Sequence, residues 1–96
     1  MCKVLNKKHG YASGIYIGRP SKWGNPFTHK KWIAEQRGLI LVGTRAEAVE
    51  RYRQWITTGD GKHLLNDLHQ LRGCNLICWC KPQQCHGDVL LELANK

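Results

Sequence analysis

No run of apolar residues in this 96-residue chain approaches the roughly 18–20 residues that a membrane-spanning helix needs. The basic first residues are not followed by the apolar segment of a secretory signal peptide. The sequence also has no internal repeat, no low-complexity stretch and no linker long enough to separate two domains. We therefore expect one soluble, cytoplasmic domain over residues 1–96 that makes no contact with a membrane.

Acidic residues are scarce: seven Asp and Glu stand against fifteen Lys and Arg, which gives a formal net charge of +8. The excess is concentrated in residues 1–37, where eight basic residues face Glu35 alone. Residues 74–96 are balanced, with two basic and two acidic residues. A local excess of this kind indicates a positive face for phosphate-bearing partners, although it is also typical of a solvated surface.

The order of the predicted elements indicates an α/β domain. These elements are strands at Met1–Leu5, Ile15–Ile17 and Cys74–Cys80, and helices capped by Thr44, by Asp60 and near Cys85. We expect a small Rossmann-like domain of two or three layers, in which helices flank a short sheet. Ligands bind such sheets beyond the carboxyl ends of the strands. Because Gly18–Phe27 and Cys78–Asp88 both begin where a predicted strand ends, the sequence predicts one shared site.

Four of the five cysteines fall within residues 74–85, a clustering that favours metal binding, redox chemistry or a nucleophile over a disulfide framework. Three interpretations are open. The first is a tetrahedral zinc site made of Cys78, Cys80, Cys85 and His86. The second makes a thiolate nucleophile of Cys85 or Cys80, with His86 as the base and Asp88 as an orienting group or acid. In the third, the thiols are buried apolar groups, and His86 and Asp88 only cap a helix.

The Gly18–Phe27 segment is too rich in glycine and proline to be a regular element, so it is predicted to be a structured loop. It matches neither the Walker pattern nor the dinucleotide fingerprint. The guanidinium group of Arg19 can bind a phosphate through two parallel hydrogen bonds, and Lys22 supplies a point charge. The predicted ligand-binding residues are Arg19, Ser21, Lys22, Trp23 and Asn25. The alternative is a rigid turn with Trp23 packed in the core.

Together, the Tyr16–Pro26 loop and the Cys78–Asp88 motif resemble an uncharacterised domain family of phages and bacteria. The family pairs a Gly-Arg-Pro-Ser-x-Trp-Gly-Asn-Pro loop with a terminal Cys-Trp-Cys-x-Pro-x-x-Cys-His-Gly-Asp motif, and Thr44–Trp55 resembles its middle stretch. The resemblance covers nearly the whole chain. It implies membership of a family of unknown function and a phage or prophage source, and hence the cytoplasm of a host cell, but no reaction.

The leading functional hypothesis is a domain that binds a nucleotide or a nucleic-acid phosphate. If the domain is an enzyme, its chemistry is expected to be thiol- or metal-assisted hydrolysis or transfer. One alternative is a non-enzymatic, zinc-containing protein that binds nucleic acid, and another is a phage protein that docks on a host protein. The leading hypothesis requires Arg19 or Asn25 to lie within reach of His86.

Overall fold

Three short parallel strands lie side by side and form the sheet that positions the site. The structure is a computed structural model, and it describes residues 3–9, 14–19, 21–79 and 83–95. Its strands are β1 (Val4–Asn6), β2 (Ile15–Tyr16), β3 (Phe27–Thr28), β4 (Ile40–Leu41) and β5 (Leu76–Cys78). Its α-helices are α1 (Lys31–Arg37), α2 (Arg45–Thr57) and α3 (His86–Ala94), and Lys7–His9 and Lys62–Gln70 are 3-10 helices.

The order of the main sheet is β1-β5-β2, and β3 pairs with β4 in a separate parallel ribbon. Val4 and Ile15 both pair with Leu76, from opposite sides of β5. Because the three strands run in the same direction, their carboxyl ends meet at one edge of the sheet. Asn6, Tyr16 and Cys78 are the last strand residues at that edge.

Helix α3 packs against β1 and β5, and α2 packs against α3, the Lys62–Gln70 helix and β3. The fully buried side chains that join these elements include Ile17, Tyr52, Ile56, Leu71, Leu76, Val89 and Leu90. A smaller cluster of Phe27, Val42 and Ala48 lies under β3. The predicted α/β class is confirmed. Within the described ranges, no helix is both long enough and apolar enough to cross a bilayer.

The Thr44 cap of α2 is confirmed, since its hydroxyl oxygen accepts a hydrogen bond from the backbone N–H of Glu47 at 3.0 Å. The carboxylate of Glu47 accepts from the backbone N–H of Gly43, one residue before the cap. Each bond satisfies a backbone donor that has no partner within the helix.

The prediction of a helix capped by Asp60 is wrong in its cap and in its helix type. The segment is a 3-10 helix that begins after Gly61, and no side chain caps it. Gly61 lies so close to Trp55 that an added Cβ would come within 2.5 Å of the indole ring. This close approach sets the path of the chain, because only a glycine fits beneath the ring.

Candidate functional site

A cleft of about 560 Å³ opens at the carboxyl ends of the main strands. One wall includes Asn6, Tyr16 and Cys78, each the last residue of its strand. The lining also includes residues of α1 and of the start of α2. The position agrees with the general rule for parallel sheets, and the volume lies within the range of small-molecule sites.

The charged side chains that line the cleft are all positive in the described part of the chain. Five basic side chains line it, and none of the described lining residues is acidic; the basic residues are Lys8, Arg19, Lys30, Arg37 and Arg45. Ion pairs elsewhere in the described part of the chain use Lys22, Lys31, Arg51 and Arg53. A concave surface with cations and no carboxylate concentrates a positive potential and attracts anions.

Two of the most exposed aromatic side chains in the described structure border the same cleft. Trp32 on α1 is 64% exposed and Trp79, directly after β5, is 57% exposed. The indole Nε1–H of Trp79 donates to the hydroxyl of Tyr16 at 3.1 Å, and that hydroxyl donates to the backbone carbonyl of Arg19 at 2.9 Å. These bonds orient Trp79, so its ring can offer a flat face to a ligand.

Cys85 caps the N-terminus of α3. Its sulfur accepts a hydrogen bond from the backbone N–H of Gly87 at 3.3 Å, and the carboxylate of Asp88 accepts from the N–H of Cys85 at 3.3 Å. The side chains of Cys85 and Asp88 therefore occupy amide groups at this helix start.

His86 is held in one orientation by the main chain. Its Nε2 lies 2.8 Å from the carbonyl oxygen of Ile17, and because a carbonyl only accepts, Nε2 carries the proton. In the neutral ring, Nδ1 is then an acceptor, and it lies 3.6 Å from the sulfur of Cys85. Nδ1 can therefore take the thiol proton, which gives Cys85 and His86 the geometry of a nucleophile and its base.

The buried ring of Tyr52 packs against His86, next to Cys85. Its ring meets the ring of His86 edge-on at 4.9 Å, and its hydroxyl donates to the carbonyl of Trp23 at 2.7 Å. Burial raises the pKa of Tyr52, and the charge of a Cys85 thiolate raises it further. Tyr52 thus remains a neutral donor, fixed between the loop and α3.

Cys78 brings a second sulfur to the floor of the cleft. The sulfurs of Cys78 and Cys85 lie 2.8 Å apart, and both residues are 1% exposed. In the described part of the chain, no three His, Cys, Asp or Glu side chains are arranged as metal ligands. Cys80, which belongs to both the predicted zinc set and the predicted nucleophiles, lies outside the described residues. The zinc site therefore stays a prediction.

Two of the five predicted loop residues line the cleft together with Cys85 and His86, and these are Arg19 and Asn25. Two guanidinium N–H groups of Arg19 donate to the carbonyls of Asn25 and Phe27, at 2.9 and 3.2 Å. The buried side chain of Asn25 accepts from the N–H of Phe27 and donates to the carbonyl of Ala48. Both residues therefore hold the loop in shape, and Arg19 adds its charge to the cleft.

The other three predicted loop residues lie elsewhere. The ammonium group of Lys22 donates to Asp67 at 3.0 Å and to Gln70 at 3.1 Å, on the Lys62–Gln70 helix. Trp23 is 3% exposed and belongs to the core, as the rigid-turn alternative predicts. Ser21 does not line the cleft, and its buried hydroxyl oxygen has no partner among the described residues.

Several cleft cations belong to no motif, although three of them, Lys8, Lys30 and Arg37, are part of the basic excess of residues 1–37. Lys8, Lys30, Arg37 and Arg45 are spread over four separate stretches, and only the fold brings them to one surface. Asp88 acts on the backbone of Cys85 in this structure, while the carbonyl of Ile17 orients His86. A main-chain acceptor cannot be identified from a sequence motif, because every residue carries one.

Gly87 allows α3 to approach the sheet. A Cβ at this position would lie 2.8 Å from Cδ1 of Ile17 and 3.0 Å from Cγ1 of Val4. We expect Gly87→Ala to lower the free energy of unfolding by about 1–3 kcal/mol through overpacking. Denaturant unfolding measures the change. Gly43→Ala is the control, because the added methyl there would meet only the flexible end of Glu47, and an equal loss in both variants would contradict the packing argument.

Fold and site together define a small α/β domain with a basic cleft whose floor carries thiols. The chain belongs to the family described as a domain of unknown function, DUF4326, whose family model matches residues 2–96. This agrees with the resemblance stated above to an uncharacterised family.

Two viral proteins are similar to the chain. It is 30% identical over 100 residues to the "Uncharacterized 12.4 kDa protein in nrdA-td intergenic region" of Enterobacteria phage T4, covering 100% of this chain and 80% of that protein. It is 31% identical over 97 residues to "Uncharacterized protein R718" of Acanthamoeba polyphaga mimivirus, covering 82% of this chain and 65% of that protein. No solved structure matches the chain significantly. The viral relatives fit the phage setting that the resemblance implies.

Proposed function

We propose that the chain binds the phosphate groups of a nucleotide or a nucleic acid in the cleft at the carboxyl ends of the strands. The observation that carries the proposal is a cleft lined by five basic side chains and by no described acidic one. Cations of this kind neutralise phosphate charge, and arginine does so with two parallel hydrogen bonds. The exposed faces of Trp32 and Trp79 complement this charge, because a base stacks on an indole ring.

The start of α3 is not the phosphate site in this proposal. The side chains of Cys85 and Asp88 already occupy amide groups there, and the carboxylate of Asp88 would repel an anion. The phosphates are instead assigned to Lys30, Arg37 and Arg45 of the cleft lining.

A second function, thiol-dependent hydrolysis of the bound nucleotide, is favoured by the geometry of Cys85 and His86. In this step, the sulfur of Cys85 attacks an electrophilic atom of the ligand and forms a bond to it. The bond from that atom to the leaving group breaks, and the leaving group takes the proton that His86 Nδ1 received from the thiol. His86 then draws a proton from water, whose oxygen displaces the sulfur and restores Cys85. Docking on a host protein stays a prediction.

The binding proposal is tested by titrating the protein with labelled oligo-dT and with a nucleoside triphosphate at several salt concentrations. If four of the cleft cations contact phosphate, the logarithm of the binding constant for oligo-dT should fall with that of the salt concentration with a slope of about −3. Joint replacement Lys30→Ala and Arg37→Ala should reduce the magnitude of this slope by about 1.4, roughly 0.7 for each lost contact with a single strand. The nucleoside triphosphate arm separates a mononucleotide site from a polymer site.

Lys62→Ala supplies the control, since Lys62 is exposed and lies outside the described lining of the cleft. Its loss should leave the salt slope almost unchanged. A salt-independent affinity, or an equal effect of Lys62→Ala and the double variant, would count against binding in the cleft.

A further inference from the structure

The floor of the cleft carries two thiols in direct contact, a feature that phosphate binding does not require. The sulfurs of Cys78 and Cys85 lie 2.8 Å apart, and about 0.8 Å of further approach would bring them to the length of a disulfide bond. Cys78 ends the central strand of the sheet, and Cys85 caps α3. Since each sulfur is carried by the end of a packed element, their proximity is built into the fold.

The contacts of Cys85 suit an attacking thiol. The sulfur of Cys85 accepts the N–H of Gly87 and lies 3.6 Å from His86 Nδ1. Cys78 sits at the end of a strand that is paired on both sides. An attacking thiol needs a nearby base and a donor that stabilises the thiolate, while a resolving thiol needs only to be adjacent. Cys85 meets the first requirement and Cys78 the second.

We propose that Cys78 and Cys85 form a redox-active dithiol that a small hydroperoxide oxidises, with Cys85 as the attacking thiol and Cys78 as the resolving one. Both residues line the cleft and are 1% exposed, so an oxidant of these thiols must be small and must enter through the cleft, which favours a small hydroperoxide over a protein oxidant. This proposal is independent of phosphate binding, because it uses only the thiols and His86.

The reaction has two balanced steps. In the first, the sulfur of Cys85 attacks the hydroperoxide, the O–O bond breaks, and Cys85 becomes a sulfenic acid. The alkoxide leaves as an alcohol, or as water from hydrogen peroxide, with the proton that His86 accepted from the thiol. In the second, the sulfur of Cys78 attacks that of Cys85, and the hydroxide leaves as water with the Cys78 proton. Two thiols are oxidised to one disulfide as one hydroperoxide is reduced.

The test treats the reduced, metal-free, full-length protein with one equivalent of hydrogen peroxide and counts the remaining thiols by alkylation and intact mass. We expect the protein to lose two of its five alkylatable thiols. Chymotrypsin cuts after Trp79 and so separates Cys78 from Cys85, which allows the disulfide to be identified as a cross-linked pair of peptides. Cys80→Ser then distinguishes a bond to Cys85 from a bond to Cys80.

The variants assign the roles. Cys78→Ser should stop at a sulfenic acid on Cys85, trapped by a cyclic 1,3-diketone, and Cys85→Ser should leave Cys78 reduced. Cys74→Ser is the control and should behave as the wild type, because Cys74 lies outside the cleft lining. Fragmentation of the cross-linked wild-type peptides also shows whether Cys80 or Cys85 is bonded to Cys78, so a misfolded variant does not weaken the test. Retention of all five thiols, a disulfide that uses Cys80, or bound zinc that blocks oxidation of the untreated protein would overturn the proposal.

Discussion

Replacing Trp32 or Trp79 with alanine is expected to weaken the binding of a short single-stranded oligonucleotide by about 1–3 kcal/mol each, which is roughly 5- to 150-fold. Both indole rings are more than half exposed at the border of a basic cleft. An apolar ring of this size is costly to leave in water unless a partner covers it, and a base has a flat face of matching shape. Fluorescence anisotropy with labelled oligo-dT measures the loss.

The pair of variants also shows how long the ligand is. A mononucleotide has one base and can stack on only one of the two rings, so it should respond strongly to one replacement and weakly to the other. An oligonucleotide that stacks on both rings should lose affinity in each variant, and the two losses should add in the double variant. Leu65→Ala is the matched control, because Leu65 is 38% exposed but does not line the cleft. Equal affinities for wild type and double variant would rule out stacking on these rings.

Tyr52 is expected to give the largest effect on stability. Tyr52→Ala removes a fully buried ring that contacts His86 and Trp55, and this should lower the free energy of unfolding by about 3–5 kcal/mol. Tyr52→Phe keeps the ring and deletes only the donor to the carbonyl of Trp23, which should cost about 1–3 kcal/mol. Urea unfolding followed by tryptophan fluorescence measures both changes.

The comparison of the two Tyr52 variants separates packing from hydrogen bonding. If the hydroxyl holds the loop in place, Tyr52→Phe should loosen residues 21–28 while leaving α3 protected, and amide hydrogen exchange can detect this. Thr57→Val is the control, because it also removes a side-chain hydrogen bond to a backbone carbonyl, that of Arg53, but within α2 and away from the loop. A Tyr52→Phe protein as stable as the wild type, with an unchanged exchange pattern, would falsify the role of this bond.

Local signals were sufficient for much of the fold. Patterns among neighbouring residues predicted the Thr44 cap, the helical spacing of the apolar residues that follow it, and the Cys85–Ala94 helix. The structure confirms all three. The Asp60 cap failed because the contact of Gly61 with Trp55, which a sequence window does not show, sets the path of that segment. The β3–β4 ribbon was not predicted either, since strands of two residues carry too little pattern to be recognised.

The sequence predicted the position of the candidate site better than it predicted the residues that line it. Parallel strands bring their carboxyl ends together, so two unusual segments that each follow a strand were expected to meet, and Arg19 and Asn25 do share the cleft with Cys85 and His86. Lys22 was expected there for its charge, but an acidic partner on a distant helix holds it elsewhere. Pairing across 45 positions of sequence depends on the tertiary fold, and composition cannot supply it.

The sulfur that caps α3 has a consequence for how chemistry at Cys85 can be observed. The atom that would react also accepts a hydrogen bond from the backbone N–H of Gly87, the second residue of α3. Any adduct on that sulfur, whether an alkyl group, an oxygen or a second sulfur, competes with this hydrogen bond and loosens the first turn. Modification of Cys85 should therefore be reported by the exchange rates of the amides at the start of α3, so the helix serves as a built-in indicator of the state of the thiol.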